Sequence, residues 1–95
     1  MTKQTETTQA RVKVFKALAD PIRLEIIRYL NQLDHGVSCG EVDRAMQIGK
    51  TSGSYHFKIL QAAGLITTHK VAREKYVALD RATFDQYLIQ FWQDL

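Results

Sequence analysis

The sequence predicts a mostly α-helical fold with one β-hairpin, an α+β architecture in a single domain. Apolar residues recur at helical spacing along most of the chain, and two short runs of residues that favour β-strands follow Gly64. The only proline, Pro21, stands where a helix junction is expected. The chain has 95 residues, of which 45% are hydrophobic, and a chain of this size can build one core but not two. Residues 1–8 lack apolar periodicity, so we expect a disordered tail followed by one domain over residues 9–95.

The first two helices are predicted to meet at Asp20-Pro21. The first helix is predicted from Gln9 to Ala19, where apolar residues form a stripe. Proline disfavours helix in the residue before it but suits the first helical position after an Asp cap. A second, strongly apolar helix is therefore predicted from Pro21 to about Leu30, in the centre of the domain.

A short helix, a tight turn and a longer helix follow. Asn31 to Val37 is predicted to be a loop, after which Ser38 and Glu41 fit a capping box that starts a helix of only two turns. Gln47 to Gly49 forms the turn into a fourth helix within residues 49–64. These are the parts of a helix-turn-helix motif.

The fourth helix has two unlike faces. One face is small or apolar, with Gly53, Phe57 and Leu60, and can pack against the domain. The other face carries hydroxyl groups, a phenol and a lysine, and no acidic residue occurs in residues 49–64. From residue 50 to residue 79 five Lys or Arg stand against one acid, a charge of +4, whereas the rest of the chain carries −1. The positive charge is thus concentrated in one segment, as a DNA-binding surface requires.

A β-hairpin is predicted after the fourth helix. Leu65 to His69 and Lys75 to Leu79 favour β-structure, and residues 70–74 must turn between them. A hairpin in this position is the wing of a winged helix-turn-helix. The cations of this hairpin either bind phosphate groups or form a charged edge that discourages strand pairing. The predicted tip carries His69, Lys70, Arg73 and Lys75.

Asp80 is predicted to cap a last helix whose wide apolar stripe runs to the C-terminus. Four of the nine aromatic residues of the chain lie in this helix. So much aromatic surface on a terminal helix favours a homodimer interface, with a pocket for a small-molecule effector of unidentified chemistry as a further expectation. The alternative is that the stripe only completes the core of one chain. The stripe consists of Phe84, Tyr87, Leu88, Phe91, Trp92 and Leu95.

Several classes of function are disfavoured. Cys39 is the only cysteine, so no intrachain disulfide can form. The chain has neither a signal-peptide pattern nor a run of about 18 apolar residues, so we expect a cytoplasmic protein that does not enter a membrane. The three histidines, His35, His56 and His69, fall on different elements, and no nucleophile-base spacing or phosphate loop supports an enzyme. We also expect no cofactor.

Three runs in this order and spacing resemble the ArsR/SmtB-type family of bacterial and archaeal winged-helix repressors. They are KALADPIRLEIIRYL (residues 16–30), SGSYHFKILQAAGLI (52–66) and REKYVAL (73–79). The resemblance implies a homodimeric, sequence-specific DNA-binding transcriptional repressor. It places the helix of about residues 50–63 in the major groove and the hairpin on the adjacent backbone or minor groove. Two such helices related by a twofold axis predict an operator that is an inverted repeat in double-stranded DNA.

The resemblance also implies particular site residues. Dimerisation through the first and last helices adds Val12 and Phe15 to the interface. Metal-sensing members carry a Cys-x-Cys pair early in the third helix, and those positions are Ser38 and Gly40 here, so no metal is expected. A glycine common at the wing tip is replaced by Ala72. Carried over by position, the DNA-facing residues are Lys50, Thr51, Ser52, Ser54, Tyr55, His56, Lys58, Lys70 and Arg73.

Alternative interpretations stay open for several of these residues. His56 lies at the flank of the packing face, and a structural role is as well supported as a phosphate contact. Arg23 is expected to form a structural ion pair, near Glu25 or elsewhere, and Cys39 is expected to be a small packing residue. For the whole chain, the alternative is a winged-helix protein-interaction module that has lost DNA binding and docks an acidic partner.

Overall fold

The computed structural model describes residues 3–95, with the side chains of residues 6–93 and 95, and it confirms the predicted mostly helical architecture with a β-hairpin. A small antiparallel sheet packs beside the helices. The helices are α1 (Lys3–Leu18), α2 (Pro21–Asn31), α3 (Cys39–Met46), α4 (Lys50–Ala62), α5 (Arg81–Phe84) and α6 (Phe91–Asp94), with a π-helical turn at Asp85–Ile89 between the last two. The strands are β1 (Val37–Ser38), β2 (Ile66–Val71) and β3 (Glu74–Leu79).

Helix α1 begins earlier than predicted. It starts at Lys3 rather than Gln9, so residues 3–8 are helical and the expectation of a disordered tail is wrong for them; residues 1 and 2 lie outside the described residues. No Gly or Pro interrupts this segment, and a helix that already exists gains one hydrogen bond for each residue added. The polar composition of the segment therefore does not prevent a helix.

The predicted Asp20 cap of α2 and Ser38 cap of α3 are confirmed, while in the described part of the chain no hydrogen bond to the Glu41 side chain completes the predicted capping box. The Asp20 carboxylate accepts hydrogen bonds from the backbone N–H groups of Ile22 at 2.8 Å and Arg23 at 3.1 Å. The Ser38 hydroxyl accepts one from the backbone N–H of Glu41 at 3.2 Å. Both caps satisfy amide groups that have no partner within the helix, which fixes where each helix starts.

The sheet has three strands in the order β1-β3-β2, one more than predicted. Strand β1 has only two residues, too few to show a period, and it pairs Val37 with Val77 of β3. The hairpin is also tighter than predicted, because the strands continue to Val71 and resume at Glu74. Its turn is therefore two residues long, and the first of them, Ala72, adopts the left-handed φ of 57° that favours glycine.

The C-terminal segment is not the single helix that was predicted. The Asp80 cap is confirmed, since its carboxylate accepts from the Thr83 N–H at 3.3 Å. The helix then widens, because the N–H of Gln90 donates to the carbonyl of Asp85, five residues earlier, at 3.0 Å. Such a π-helical turn inserts one residue and rotates everything after it by about 100°. The apolar stripe is therefore broken between Leu88 and Phe91.

The core lies where α1, α2 and α4 meet the sheet. No helix in residues 3–95 is long and apolar enough to cross a lipid bilayer. The packing of the core fixes α4 against the rest of the domain along one face. Its buried apolar residues are Val14, Ala17, Ile26, Leu30, Val37, Val42, Phe57, Leu60, Leu65, Ile66 and Val77.

Candidate nucleic-acid interface

The turn between α3 and α4 sets the angle of the longer helix. Gln47 adopts a left-handed φ of 56°, and the N–H of Ile48 donates to the carbonyl of Asp43 at 3.0 Å, which closes α3. Gly49 then caps α4 without a side-chain hydrogen bond. The first amide groups of α4 therefore receive no side-chain cap from Gly49, and such groups can donate to an anion.

Six of the predicted DNA-facing residues form one exposed surface on the outer side of α4. One of them, Tyr55, is 62% exposed. The surface carries hydroxyl, phenol and ammonium groups, and no carboxylate belongs to α4. We call this set the outer face of α4: Lys50, Thr51, Ser52, Ser54, Tyr55 and Lys58.

His56 is not on the outer face. Only 6% of its surface is exposed, and its ring Nδ1 lies 3.2 Å from Nη1 of Arg23. Because an arginine can only donate, His56 Nδ1 must accept this hydrogen bond. The expectation of a DNA contact by His56 does not fit this position, and the structural alternative does, since its side chain turns toward α2.

Arg23 joins three helices from the inside. Its Nε donates to the carbonyl of Ala17 at 2.6 Å and its Nη2 to that of Lys16 at 3.4 Å, at the end of α1. The predicted ion pair with Glu25 is wrong, because Glu25 pairs with Arg28 at 3.7 Å on the surface. The backbone N–H of Arg23 also lowers the pKa of Asp20, against the effect of partial burial. A structural role for Arg23 is correct, although its partners are carbonyl groups and an imidazole.

Gly53 marks a close contact between α3 and α4. A Cβ atom at this position would overlap the carboxylate of Asp43, which packs against the glycine. The Oδ1 atom of Asp43 is buried and has no hydrogen-bond partner among the described residues. Burial raises the pKa of Asp43, while the charges of Arg44 and Lys50 oppose that rise. Glycine in a helix costs up to about 1 kcal/mol relative to alanine, and the packing explains why it is present.

The wing carries the two remaining predicted DNA residues. Lys70 and Arg73 are both exposed, at the end of β2 and in the turn. Lys70 stands directly opposite Lys75 in the hairpin, and like charges in such a pair repel each other. In the neighbouring pair of the hairpin, the ring of His69 stacks on Tyr76 with 5.7 Å between ring centroids.

A cleft of about 590 Å³ separates α3 and α4 from the wing. The cleft was not predicted from the sequence, because the wing that forms one of its walls is distant along the chain from α3 and α4. The excess of cations in residues 50–79 was the sequence feature that could have indicated this cleft. Its lining includes Cys39, Asp43, Arg44, Lys50, Ser54, Phe57, Lys58, Gln61, Arg73, Glu74 and Lys75.

The structure divides the predicted dimer residues into two groups. Phe84, Tyr87 and Leu88 are partly buried against the core of their own chain. Five further large apolar side chains are exposed at the same end of the chain or on α1, and the ring of Phe15 meets Phe91 edge to face at 5.4 Å. The exposed side chains are Val12 (44%), Phe15 (40%), Ile89 (77%), Trp92 (82%) and Leu95 (70%). Ile89 was not predicted, because the π-helical turn brings it outward.

The described residues hold no group of three or more His, Cys, Asp or Glu that could bind a metal ion. Cys39 is half-buried, and burial raises the pKa of its thiol, an effect that the nearby charge of Lys75 opposes. A thiol that keeps its proton is a poor nucleophile, which fits a packing residue.

Comparison with known sequences agrees with this geometry. A model of a helix-turn-helix domain matches residues 18–69. The uncharacterised HTH-type transcriptional regulator YceK of Bacillus subtilis is 47% identical over 95 residues, which is 100% of this chain and 95% of YceK. The transcriptional repressor SdpR of the same organism is 34% identical over 67 residues, or 70% of this chain and 72% of SdpR.

Solved structures have the same fold. An ArsR-like transcriptional regulator from Rhodococcus sp. RHA1 superposes with a TM-score of 0.80 at 25% identity, covering 93% of this chain and 81% of that chain. The homodimeric winged helix-turn-helix DNA-binding domain Mb0332 of Mycobacterium bovis gives a TM-score of 0.76 at 22% identity, covering 99% of this chain and 88% of that chain.

Proposed function

Because this chain belongs to the ArsR-type family of winged helix-turn-helix transcriptional regulators, we propose that it is a homodimeric repressor that binds a specific operator in double-stranded DNA. The observation that carries the proposal is the outer face of α4. It is exposed and free of carboxylates, while the opposite face is buried in the core. Such a helix can enter a groove without disturbing its own packing.

In this proposal α4 lies in the major groove. Tyr55 and the hydroxyl groups of Thr51 and Ser54 reach base edges, which display a distinct pattern of donors and acceptors there. Lys50 and Lys58 contact phosphate oxygens and fix the register of the helix on the duplex. Sequence preference therefore resides in Tyr55 and the hydroxyls, and salt-dependent affinity resides in the lysines.

The wing contacts the DNA beside the groove. Lys70 and Arg73 lie on the adjacent backbone or in the minor groove, where an arginine is attracted by the strong negative potential. The alternative of a charged edge that only prevents strand pairing accounts less well for Lys70 and Lys75, because placing them opposite each other lowers the stability of the hairpin.

A second copy of the chain covers the exposed apolar residues of α1 and the C-terminal segment. Large apolar side chains that are more than two-thirds exposed, such as Trp92 and Leu95, are typical of an interface. The homodimeric state of Mb0332 supports this part of the proposal by analogy, and SdpR, a transcriptional repressor, supports the repressor function by analogy. The dimer predicts an inverted-repeat operator with half-sites about 10 bp apart, in the cytoplasm where chromosomal DNA is located.

The test is a gel-shift titration of the purified protein with the DNA upstream of its own gene. We expect salt-sensitive retardation with a slope of about −0.9 in log K against log salt for each phosphate contacted. Lys58→Ala should weaken binding about tenfold and reduce the slope by about one unit. Lys13→Ala on the outside of α1 is the matched control and should leave both unchanged.

Tyr55→Phe separates base recognition from general affinity. It keeps the ring and removes the hydroxyl, so it should change the preference among operator sequences more than the affinity for unrelated DNA. Absence of retardation at low salt, together with capture of an acidic protein by the same surface, would instead favour the protein-interaction module.

A further inference from the structure

The cleft between the helix-turn-helix and the wing is a pocket of ligand size. Its volume of about 590 Å³ lies in the range of about 300–1,000 Å³ that is typical of small-molecule sites. Buried Ser38 and half-buried Cys39 line it, and the buried ring of Phe57 adds apolar lining. The cleft is therefore concave and partly apolar rather than a flat charged surface.

The walls of the cleft carry an excess of positive charge. Five cations come from three elements, and two carboxylates oppose them. Within the described part of the chain, Lys58, Arg73 and Lys75 lie near no carboxylate at ion-pair distance. One of the two carboxylates, Asp43, has an oxygen turned away into the contact with Gly53. The cations are Arg44, Lys50, Lys58, Arg73 and Lys75.

The placement of these cations costs stability that the fold alone does not require. Lys75 faces Lys70 across the hairpin, and the tight turn holds Ala72 in a left-handed conformation that disfavours alanine. Both features bring Arg73 and Lys75 to the cleft, opposite Lys58 of α4. An anion between the two walls would offset the repulsion among these charges.

We propose that this cleft binds a small molecule that carries a diphosphate group, either free or as part of a nucleotide. Two linked phosphate groups can engage Lys58 on one wall and Arg73 and Lys75 on the other at the same time. Gln61 can donate a further hydrogen bond from its amide, and the ring of Phe57 can contact an apolar or aromatic portion of the ligand. A single phosphate offers fewer oxygen atoms to share between the two walls and should make fewer of these contacts.

The consequence for DNA rests on the proposed function. Lys50, Ser54 and Lys58 belong both to the cleft and to the outer face of α4. A diphosphate held by Lys58 adds negative charge beside the surface that a DNA backbone must approach, so the ligand and the operator compete. Bound ligand should therefore release the operator.

The test measures ligand binding without DNA. Inorganic pyrophosphate, ADP and inorganic phosphate are titrated into the ¹⁵N-labelled protein at constant ionic strength and without divalent metal, and backbone amide shifts are followed by NMR. Pyrophosphate and ADP should shift the amides of Gly40 and Gln61 in a saturable manner. Inorganic phosphate should bind about tenfold more weakly, because it makes fewer charge-assisted hydrogen bonds. Tighter binding of ADP than of pyrophosphate identifies a nucleotide site, and equal binding identifies a diphosphate site.

Three variants decide the location. Lys58→Gln should weaken pyrophosphate binding about tenfold, and Gln61→Glu should abolish it by adding a charge to an exposed position of the cleft. Lys13→Gln removes the same charge far from the cleft and should bind normally. Thermal unfolding followed by circular dichroism verifies that each variant is folded. Shifts that do not saturate, or that Lys13→Gln reduces as much as Lys58→Gln does, would overturn the site.

A second arm separates this inference from the proposed function. Tyr55→Ala should lose DNA affinity and retain pyrophosphate binding, because Tyr55 does not line the cleft. Pyrophosphate should displace bound operator at matched ionic strength from the wild-type protein. A protein that binds pyrophosphate but no DNA would refute the repressor and leave the cleft site intact. A protein that binds DNA and shows no saturable pyrophosphate shift would refute the cleft site and leave the repressor intact.

Discussion

Helix α4 and the C-terminal segment, residues 80–95, are both amphipathic, but only α4 has its apolar face covered by its own chain. Its inward residues Phe57 and Leu60 are 4% and 0% exposed, respectively. In the C-terminal segment, by contrast, Trp92 and Leu95 are 82% and 70% exposed. The apolar face of the first region is covered within one chain, whereas the second region leaves large apolar side chains exposed, which the proposed dimer would cover.

The difference separates two kinds of stability. Packing beneath α4 contributes to the folding of each chain and should not depend on protein concentration. In the proposed dimer, packing on the C-terminal segment contributes to association. Its contribution to stability should rise with protein concentration, because only folded chains associate and association stabilises them by mass action. Substitutions in the two regions should therefore be distinguishable by concentration alone.

The largest effect is expected for Leu60→Ala. Leu60 is fully buried, so truncation removes apolar contacts and leaves a cavity, at a cost of about 2–5 kcal/mol in the free energy of unfolding. Urea denaturation at two protein concentrations should give the same loss. Leu24→Ala, at a position that is 51% exposed on α2, is the matched control and should cost under about 1 kcal/mol. A loss at position 60 that vanished at high concentration would remove the distinction between the two regions.

Trp92→Ala should weaken the dimer with little effect on the fold of one chain. An aromatic anchor at the centre of an interface contributes about 2 kcal/mol or more, which corresponds to a rise of about 30-fold in the dimer dissociation constant. Sedimentation equilibrium measures this constant. Tyr55→Ala removes another exposed aromatic ring, from the outer face of α4, and should leave the constant unchanged. A wild-type protein that sediments as a monomer at high concentration would contradict the interface.

The sequence was sufficient to predict where α2 and α3, the helices before α4, begin. The Asp20 and Ser38 caps and the short third helix are local features, and each is confirmed. His56 could not be placed by the same reasoning, because it lies at the boundary between the two faces of α4. Its direction is decided by Arg23, which is 33 residues away along the chain.

The second region was predicted less well for a physical reason. The apolar stripe from Phe84 to Leu95 fits a continuous helix, but the π-helical turn at Asp85–Ile89 rotates its two halves relative to each other. No residue type signals such a turn, and contacts of this segment with distant residues, such as that between Phe91 and Phe15, do not show in the apolar spacing. Strand β1 and the cleft were missed because they join residues distant in sequence, and the contact between Asp43 and Gly53 was missed because it depends on how α3 and α4 pack.

Gly53→Ala tests how tightly α3 holds α4. Alanine favours helix by up to about 1 kcal/mol, but its Cβ would overlap the Asp43 carboxylate, and overpacking costs about 1–3 kcal/mol. We expect a net loss of about 1 kcal/mol in the free energy of unfolding, and a net gain when Asp43→Ala is already present. Gly40→Ala in α3 is the matched control, because its Cβ would only meet Arg44 at an ordinary distance of 3.5 Å, and it should not destabilise. Equal effects of Gly53→Ala in both backgrounds would mean that the two helices are not in close contact.

The smallest change in the free energy of unfolding is expected for Asp43→Asn. This change should depend on pH, and the pH dependence is what the test measures. Burial raises the pKa of Asp43 in the folded chain above its ordinary value of 3.8, so the folded state holds this proton more strongly than the unfolded state. Ionisation of Asp43 therefore lowers the free energy of unfolding. This loss is absent below the pKa of the unfolded state, appears as the pH rises through the pKa of the folded state, and persists at neutral pH.

Asparagine cannot ionise, so Asp43→Asn should be more stable than the wild type at pH 7, and the advantage should shrink as the pH falls toward 4. The gain is small because Arg44 and Lys50 partly compensate the ionised carboxylate. Urea denaturation of both proteins between pH 4 and pH 7 measures the difference, and Asp34→Asn on an exposed loop controls for the loss of one negative charge. A difference that is constant with pH would show that the contact between α3 and α4 is already uncharged, and that Gly53 is needed for space alone.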